Sequence, residues 1–485
     1  NPSHQRLRSS ILGGPLISVG RTMQQDRRLV VLAVLAALLI LPSEAFLPAG
    51  PALRPAPGAS RFSLRPRDAS LGAPLAPARQ PRARLVQGGE RWAPMMSTAD
   101  AAEVGVAAST LTVGIPKEVK PGELRVAAPA SVVGMLTKEG FKVVVERGAG
   151  TTAQVSDEAY EAAGASLTDT EGAWGADIVL KIAPPMESPA TGKHEAEMLK
   201  EGATLVSYIQ PQQNDALVQR LKGLKVTVIA MDALPRTLSR AQTFDTLSSM
   251  ANIAGYRSVV EAAAAFGRMF AGQFTAAGKV PPAKVLVIGA GVAGLAAIQQ
   301  AKSMGAVVRA FDVRSSVKEQ IVSAGAEFLE VELEEDGEGS GGYAKEMSPE
   351  FIAAEMKLFK DQCRDVDIVI TTALIPGKPA PRLVTKDMIE VMKPGSVVVD
   401  LAAETGGNIE TTRPGEIYTS SNGVTHIGLT DMPSRMPQQA SELYGNNIVK
   451  FLLSMGPKGR FHIDYDDEAV RGCLILDRGT LTYPP

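Results

Sequence analysis

The segment 285–312 constrains the fold more than any other part of this sequence. It opens with a β-branched apolar run that leads into Gly289, Gly291 and Gly294, which have the spacing G-x-G-x-x-G. A small-residue segment of helical character follows, and a second apolar run ends on Asp312, eighteen residues after the last glycine. Strand, glycines, helix, strand and acid in this order indicate a dinucleotide-binding βαβ unit. The chain is therefore predicted to belong to the α/β class.

Each position in this unit has a physical role. Gly289 would allow the tight turn, Gly291 would let the backbone approach a pyrophosphate, and Gly294 would let the helix pack closely on the strand. The free N–H groups at the start of the helix would bind the anion. Asp312 would accept a hydrogen bond from the ribose 2′-hydroxyl and would repel a 2′-phosphate. We therefore predict that this site binds NAD(H) and not NADP(H).

The chain shows the same alternating pattern twice. From 111 to about 234, and again from about 279 to 430, short β-branched runs alternate with helical segments. This alternation is typical of a parallel sheet that is covered by helices on both faces. We therefore predict two Rossmann-like, doubly wound lobes with a nucleotide cleft between them, of which the second carries the glycine motif.

The first 97 residues differ in composition from the rest of the chain, because they hold 13 Arg, no Lys and four acids. Arg27 and Arg28 precede a thirteen-residue apolar run, and small residues precede Phe46, as in a cleaved signal peptide. Residues 46–97 are rich in Arg, Pro and Ala and resemble a transit peptide, which does not fold. We predict a disordered two-part presequence over 1–97, with a plastid as the destination and the mitochondrial inner membrane as the alternative.

Composition argues against several classes of function. The presequence is basic while the formal net charge of the chain is −2, so the remaining residues are acidic and nucleic acid is not expected as a partner. Cys363 and Cys473 belong to no C-x-x-C motif, and the four His are scattered. We therefore predict neither a disulfide framework nor a metal site.

Four multi-residue motifs occur in order along the chain, at 240–256, 289–294, 342–347 and 371–381. Through them the chain from residue 111 onward resembles the NAD(H)-binding domain of proton-translocating nicotinamide nucleotide transhydrogenase. The resemblance implies a first lobe at 111–247 that is completed by 433–482, and an NAD(H)-binding lobe at 248–432. It also implies a homodimer of such chains.

The resemblance further implies an activity that is shared with other domains. A hydride would pass directly from NADH on this chain to NADP+ on an NADP(H)-binding partner domain. A membrane domain of the same complex would couple this transfer to proton translocation. NAD(H) is therefore the expected cofactor of this chain, and NADP(H) that of the partner.

Residues that match the family's nicotinamide contacts lie in a polar segment before the small-residue helix. They are Arg236, Gln242, Asp245 and Ser248, and the resemblance assigns catalytic roles to Gln242 and Asp245. Arg236 and Gln242 are one residue further apart than in the usual motif, so Arg240 is an alternative to Arg236. An amide and a carboxylate can orient the carboxamide and the ribose, while an Arg offers a charge-assisted hydrogen bond.

An acidic, glycine-rich segment at 330–343 is typical of an exposed loop. The resemblance adds that this loop is a lid, with Tyr343 and Met347 near the nucleotide, which would exclude water on closing. The remaining nucleotide contacts that we expect are Val292, Ala293, Arg314, Ala373 and Leu374.

Two other functions are left open by the sequence. The first lobe also resembles alanine dehydrogenase, in which residues matching Arg125 and Lys181 bind the substrate and a His acts as acid and base. Position 210 is Gln here, and because an amide cannot exchange a proton near neutral pH, we expect Arg125 and Lys181 to brace the lobe instead. The second alternative is a non-enzymatic NAD sensor, against which the residues that would orient the nicotinamide argue.

Overall fold

The computed structural model describes residues 104–333, 335, 337–339, 345, 347–374 and 379–484. The predicted presequence and Tyr343 lie outside these residues. The α-helices are α1 (Ala130–Lys138), α2 (Asp157–Ala162), α3 (Thr170–Trp174), α4 (Asp215–Gly223), α5 (Thr246–Phe266), α6 (Val292–Ser303), α7 (Lys318–Ser323), α8 (Pro349–Asp365), α9 (Lys386–Glu390), α10 (Pro437–Ser454) and α11 (Glu468–Cys473). None of the helices in these ranges combines the length and the apolar character that crossing a membrane requires.

The strands form two large sheets and two small ones. They are β1 (Val106–Ala107), β2 (Thr112–Ile115), β3 (Lys142–Glu146), β4 (Ser166–Thr168), β5 (Ile178–Leu180), β6 (Thr204–Ser207), β7 (Thr227–Ala230), β8 (Gln273–Thr275), β9 (Gly278–Val280), β10 (Lys284–Ile288), β11 (Val307–Phe311), β12 (Glu327–Phe328), β13 (Ile368–Thr371), β14 (Val397–Asp400), β15 (Ile417–Thr419), β16 (Thr425–Ile427), β17 (Arg460–Phe461), β18 (Leu474–Asp477) and β19 (Thr480–Leu481). The small sheets are the antiparallel pairs β1–β17 and β8–β9.

The first lobe is built on an eight-stranded sheet of order β19-β18-β7-β6-β5-β2-β3-β4. Strands β2 to β7 are parallel. Every residue of β5, β6 and β7 is buried, as expected when helices cover both faces of a parallel sheet. Strands β18 and β19, from the end of the chain, extend this sheet in antiparallel fashion. The sequence pattern did not predict these two strands.

The second lobe is built on a seven-stranded sheet of order β12-β11-β10-β13-β14-β16-β15. It is parallel except for the edge strand β15. From β10 the chain runs outward through β11 and β12, and then returns to form β13 on the other side of β10. The junction of β10 and β13 is thus the topological switch point, where open α/β sheets bind ligands at the carboxyl ends of their strands. Two such parallel sheets confirm the predicted α/β class.

Helix α5 connects the two lobes. Its first half places Met250 and Ile253 in the hydrophobic core of the first lobe. Its second half places Val259 and Phe266 in a hydrophobic core of the second lobe. The helix ends at Gly267, which has a φ of +68°. A single continuous helix therefore shares its buried surface between both lobes.

Helix α10 returns the chain to the first lobe. The Tyr444 hydroxyl donates a hydrogen bond to the Lys181 carbonyl oxygen at 2.8 Å. Phe451 packs edge-on against Phe244, with ring centroids 5.4 Å apart. From this helix the chain continues into α11, strand β18 and the edge strand β19.

Candidate nucleotide site

The turn between β10 and α6 explains two of the three motif glycines. Gly289 has a φ of +94°, which only glycine adopts readily. A Cβ built at Gly294 would lie 1.9 Å from the carbonyl oxygen of Gly289. Any side chain at position 294 would therefore push the start of α6 away from the end of β10.

Gly291 differs from its two neighbours in the motif, because the folded protein itself does not require a glycine there. Its φ is −70°, and a Cβ built on it would meet no atom within 4 Å. Gly291 is the N-cap of α6, and in the described ranges the N–H groups of Val292, Ala293 and Gly294 form no hydrogen bond. The empty space and the free donors fit an anion such as a pyrophosphate.

Asp312, directly after β11, is tied to the glycine turn. Its carboxylate accepts a hydrogen bond from the Ala290 N–H at 2.7 Å. It also accepts hydrogen bonds from the N–H, Nε and Nη2 of Arg314, at 2.9, 2.8 and 2.7 Å. The bonds to Asp312 raise the pKa of the Arg314 guanidinium above its ordinary value. The predicted ribose-binding acid thus lies within reach of the turn and holds a cation beside it.

A second polar cluster lies at the start of α5. Asp245 caps the helix by accepting the Ser248 N–H at 2.8 Å and the Ser248 hydroxyl at 2.6 Å. Arg236 donates from Nε to Asp245 at 2.8 Å and from Nη2 to Ser248 at 2.6 Å. Arg240 instead pairs with Asp467, and more than half of its side chain is exposed. The geometry therefore joins Arg236, and not Arg240, to Asp245 and Ser248.

Gln242 lies in a 3-10 helix, Ser239–Phe244, that ends immediately before Asp245. Its side chain is exposed, whereas Asp245 is 7% exposed. An exposed amide beside a buried and hydrogen-bonded carboxylate can contact a ligand without losing a partner in the protein. That Gln242 and Asp245 contact the nicotinamide stays a prediction.

The two polar clusters are linked through helices α5 and α6. A Cβ built at Gly255 of α5 would lie 1.9 Å from the carbonyl oxygen of Ala293 in α6. Ala293 is the second residue of α6, next to the glycine turn. The helix that Asp245 caps therefore passes in direct backbone contact with the start of the predicted pyrophosphate helix.

The segment after β13 approaches the same turn. The Thr372 hydroxyl donates to the Gly289 carbonyl oxygen at 3.1 Å. The Ala373 carbonyl oxygen accepts a hydrogen bond from the Asn408 side chain at 2.8 Å. Leu374 is 44% exposed. Thr372 and Asn408 were not predicted as site residues, although a polar residue at the carboxyl end of a parallel strand was a usable signal for Thr372.

Met347 lies within the hydrophobic cluster that includes Phe311 and Phe351, and it is 8% exposed. Its side chain is therefore part of the buried core of the second lobe. The predicted contact of Met347 with a nucleotide remains untested, and the Tyr343 prediction falls outside the described residues.

Lys181 and Arg125 are buried in ion pairs. Lys181 is fully buried, and its Nζ lies 2.6 Å from Glu118 and 3.4 Å from Glu195. Arg125 donates to Glu123 from Nε at 2.7 Å and from Nη2 at 2.5 Å. Both cations therefore brace the first lobe, as expected from the sequence, although their acidic partners were not identified there.

Position 210 carries a glutamine with a φ of +52°. The backbone N–H groups of Ile209 and Gln210 donate to the Asp232 carboxylate at 2.8 and 2.7 Å. Asp232 thus fixes the strained backbone at this position. No imidazole is present at position 210 to transfer a proton.

Comparison with known proteins identifies the family. Residues 114–254 match the N-terminal domain of the alanine dehydrogenase/PNT family, and residues 258–484 match its C-terminal domain. The alpha subunit of NAD(P) transhydrogenase from Haemophilus influenzae is 52% identical over 371 residues, which cover 76% of this chain and 71% of the relative. The crystal structure of transhydrogenase from Sinorhizobium meliloti superimposes with a TM-score of 0.69 at 41% identity, and covers 76% of this chain and 99% of that one.

Alanine dehydrogenase from Bacillus subtilis is 30% identical over 381 residues, which cover 77% of this chain and 93% of the enzyme. The chain belongs to the alanine dehydrogenase/PNT family, and within it to the NAD(P) transhydrogenase alpha subunits, with alanine dehydrogenase as a more distant relative.

Proposed function

We propose that this chain binds NAD(H) and transfers a hydride directly between NADH and NADP+ held on a partner domain. The observation that carries the proposal is the open space at Gly291, in front of three free N–H groups and beside Asp312. A glycine that the fold does not need, at the anion-binding end of a helix, is explained by a ligand backbone that must come close.

The residues of this site divide into two groups. At the adenosine end, Asp312 would accept the ribose hydroxyl hydrogen bonds and would disfavour a 2′-phosphate. At the nicotinamide end, Arg236 holds Asp245 and Ser248 in place, so that Asp245 and the exposed Gln242 can fix the carboxamide and ribose. Val292, Ala293, Arg314, Ala373 and Leu374 are the further contacts that we propose.

NAD(H) supplies the hydride when it is bound, and this chain's residues orient it. Direct transfer between two nicotinamides needs closeness and exclusion of water, but no general base. The carboxylates of Asp245 and Asp312 both accept hydrogen bonds from the protein. In our proposal neither carboxylate acts as a general base. The lid that we propose for the segment with Tyr343 and Met347 would exclude water.

The alpha-subunit relatives imply a complex with other subunits. We propose that an NADP(H)-binding domain and a proton-translocating membrane domain complete the activity, and that the chain forms a homodimer. We propose lobes at 111–247 with 433–482 and at 248–432, preceded by a targeting presequence. A plastid membrane is our proposed location, with the mitochondrial inner membrane as the alternative.

The proposal is tested by mixing the purified chain with a separately produced NADP(H)-binding domain from a transhydrogenase. NADH-dependent reduction of thio-NADP+ is followed at the wavelength of the reduced product. We expect turnover only when both proteins are present. A parallel reaction with NADH, pyruvate and ammonium tests alanine dehydrogenase activity.

Turnover with pyruvate and ammonium alone would contradict the proposal, because it would require an acid–base group that Gln210 cannot supply. Binding of NADH without turnover, under conditions in which the partner domain works with another NAD(H)-binding domain, would favour a sensor.

A further inference from the structure

A buried carboxyl group lies beside the predicted adenosine end of the site. Glu355 of α8 is 5% exposed. Among the described residues it accepts no hydrogen bond and forms no ion pair. Burial, with a further contribution from the negative charge of Asp312, raises the pKa of Glu355 to about 7. A largely buried carboxyl group without a hydrogen bond or ion pair loses hydration when it ionises, which favours its neutral form.

The geometry of α8 directs Glu355 towards the end of β11. Phe351, Glu355 and Phe359 are spaced four residues apart and form the buried face of this helix. The Phe359 ring packs edge-on against Phe311, with centroids 5.0 Å apart. Phe311 immediately precedes Asp312. The Glu355 carboxyl therefore lies on an apolar face that covers the strand end from which Asp312 projects.

Most of the charges around this face are already paired. Lys360 of α8 pairs with Asp387 of α9 at 2.6 Å. Arg309 of β11 pairs with Asp365 at the end of α8 at 2.8 Å. After β11, Arg314 pairs with Asp312. Asp312 is the neighbour whose charge acts on Glu355.

We propose that Glu355 is a positioning and specificity residue of the nucleotide site, which takes up a proton from solvent when NAD(H) binds. The inference rests on the proposed binding of NAD(H) at Asp312. A bound nucleotide brings anionic charge and removes water near Asp312, and both effects favour the neutral carboxylic acid. Because binding and protonation then favour each other, NADH binds more weakly as the pH rises through 7.

The same charge affects the choice between nucleotides. Above pH 7 an ionised Glu355 adds a second negative charge near Asp312. A 2′-phosphate carries more charge than a 2′-hydroxyl and is repelled more strongly. Discrimination against NADP(H) therefore increases with pH in the wild-type protein.

Calorimetric titration of NADH into the purified chain at about pH 7, in two buffers of different ionisation enthalpy, measures the proton uptake directly. We expect uptake of a fraction of a proton by the wild type and none by Glu355→Gln. The NADH Kd of the wild type should rise about two- to fivefold between about pH 6 and pH 8, which corresponds to a pKa rise on binding of about half to one unit. The Kd of Glu355→Gln should stay nearly constant.

Glu350→Gln is the matched control, because Glu350 is an exposed acid in the first turn of the same helix. It should keep the wild-type proton uptake and pH profile. Zero uptake by the wild type, a measurement that needs no variant, would overturn the inference while leaving NAD(H) binding intact. If the NADH Kd of Glu355→Gln changes with pH as in the wild type, the inference is also overturned and NAD(H) binding is left intact. Absence of NADH binding by the wild type at every pH would overturn the proposed function and this inference together.

Discussion

Gly255 of α5 lies directly against the backbone of Ala293 in α6, because a Cβ at position 255 would lie only 1.9 Å from the Ala293 carbonyl oxygen. The contact joins the helix that Asp245 caps to the helix that Gly291 caps. The two predicted ends of the nucleotide site are therefore held together by one close backbone approach.

Replacing Gly255 with Ala should separate these helices. We expect a loss of about 1–3 kcal/mol of unfolding free energy from overpacking, together with weaker NADH binding. Gly134→Ala in α1 is the matched control, because a Cβ there meets nothing within 4 Å. It should stabilise the protein by up to about 1 kcal/mol. Denaturant unfolding of both variants checks this, and equal stabilities would contradict the helix contact.

Gly291→Ala should separate binding from folding. The backbone φ of −70° and the open space allow the methyl group, so the melting temperature should stay close to that of the wild type. NADH affinity should fall about tenfold or more, because the methyl group occupies the approach of the pyrophosphate. Fluorescence titration of NADH measures this, and normal affinity in Gly291→Ala would exclude a pyrophosphate at the turn.

Asp312→Ala should weaken NADH binding by about tenfold or more, because it removes the proposed ribose acceptor and the hydrogen bonds that it accepts from Ala290 and Arg314. Arg314 is then no longer held by Asp312 and can turn towards a 2′-phosphate, so NADPH should lose less affinity than NADH or gain some. Equilibrium dialysis with both nucleotides gives the ratio. An unchanged NADH Kd would rule out the ribose role.

Arg236→Ala and Arg240→Ala form a matched pair. Loss of Arg236 leaves Asp245 and Ser248 without their cation, and hydride transfer should slow by at least about tenfold. Loss of Arg240 removes only an exposed pair with Asp467, and the rate should change little. The thio-NADP+ assay compares them. The reverse order of effects would assign the nicotinamide contact to Arg240.

Glu195 should make stability depend on pH. Burial outweighs the attraction of Lys181 and raises the pKa of Glu195 from 4.5 to about 7. Between these values the folded state holds a proton that the unfolded state has lost, so its contribution to stability falls as the pH rises through that window. Glu195→Gln should therefore gain stability relative to the wild type as the pH rises from about 5 to about 8, because only the wild type loses a proton from this position in that window.

Thermal unfolding across this pH range tests the role of Glu195. Glu197→Gln, in the same turn, changes an exposed acid that pairs with Arg220 at 3.2 Å. The melting temperature of Glu197→Gln should depend on pH as that of the wild type does. If the melting temperature of Glu195→Gln also shows the wild-type pH dependence, the Glu195 carboxyl does not titrate between about pH 5 and pH 8.

Local patterns predicted much of the fold. The strands before and after the glycine motif were predicted because apolar runs and glycine spacing are short-range signals. Strands β18 and β19 were missed, because short strands of this kind are specified by the sheet on which they pair.

The polar clusters were harder to predict. Glu118 and Lys181 are 63 residues apart in sequence, and no local pattern connects them. Spacing alone could not choose between Arg236 and Arg240, whereas the 3-10 turn Ser239–Phe244 brings Arg236 back to Asp245, nine residues later. Glu355 had a usable signal, since it interrupts an apolar stripe between Phe351 and Phe359.

The length of α5 has a consequence for how this chain can vary. The helix has 21 residues, so it is about 30 Å long, and each residue advances it by about 1.5 Å and turns it by about 100°. One residue inserted between Ile253 and Val259 would rotate the face buried in the second lobe by that angle relative to the face buried in the first. Such an insertion would expose one apolar face and misalign the nicotinamide and adenosine ends of the site, even if each lobe folded normally. The number of residues in this helix therefore sets the distance and the relative orientation of the two ends of the site.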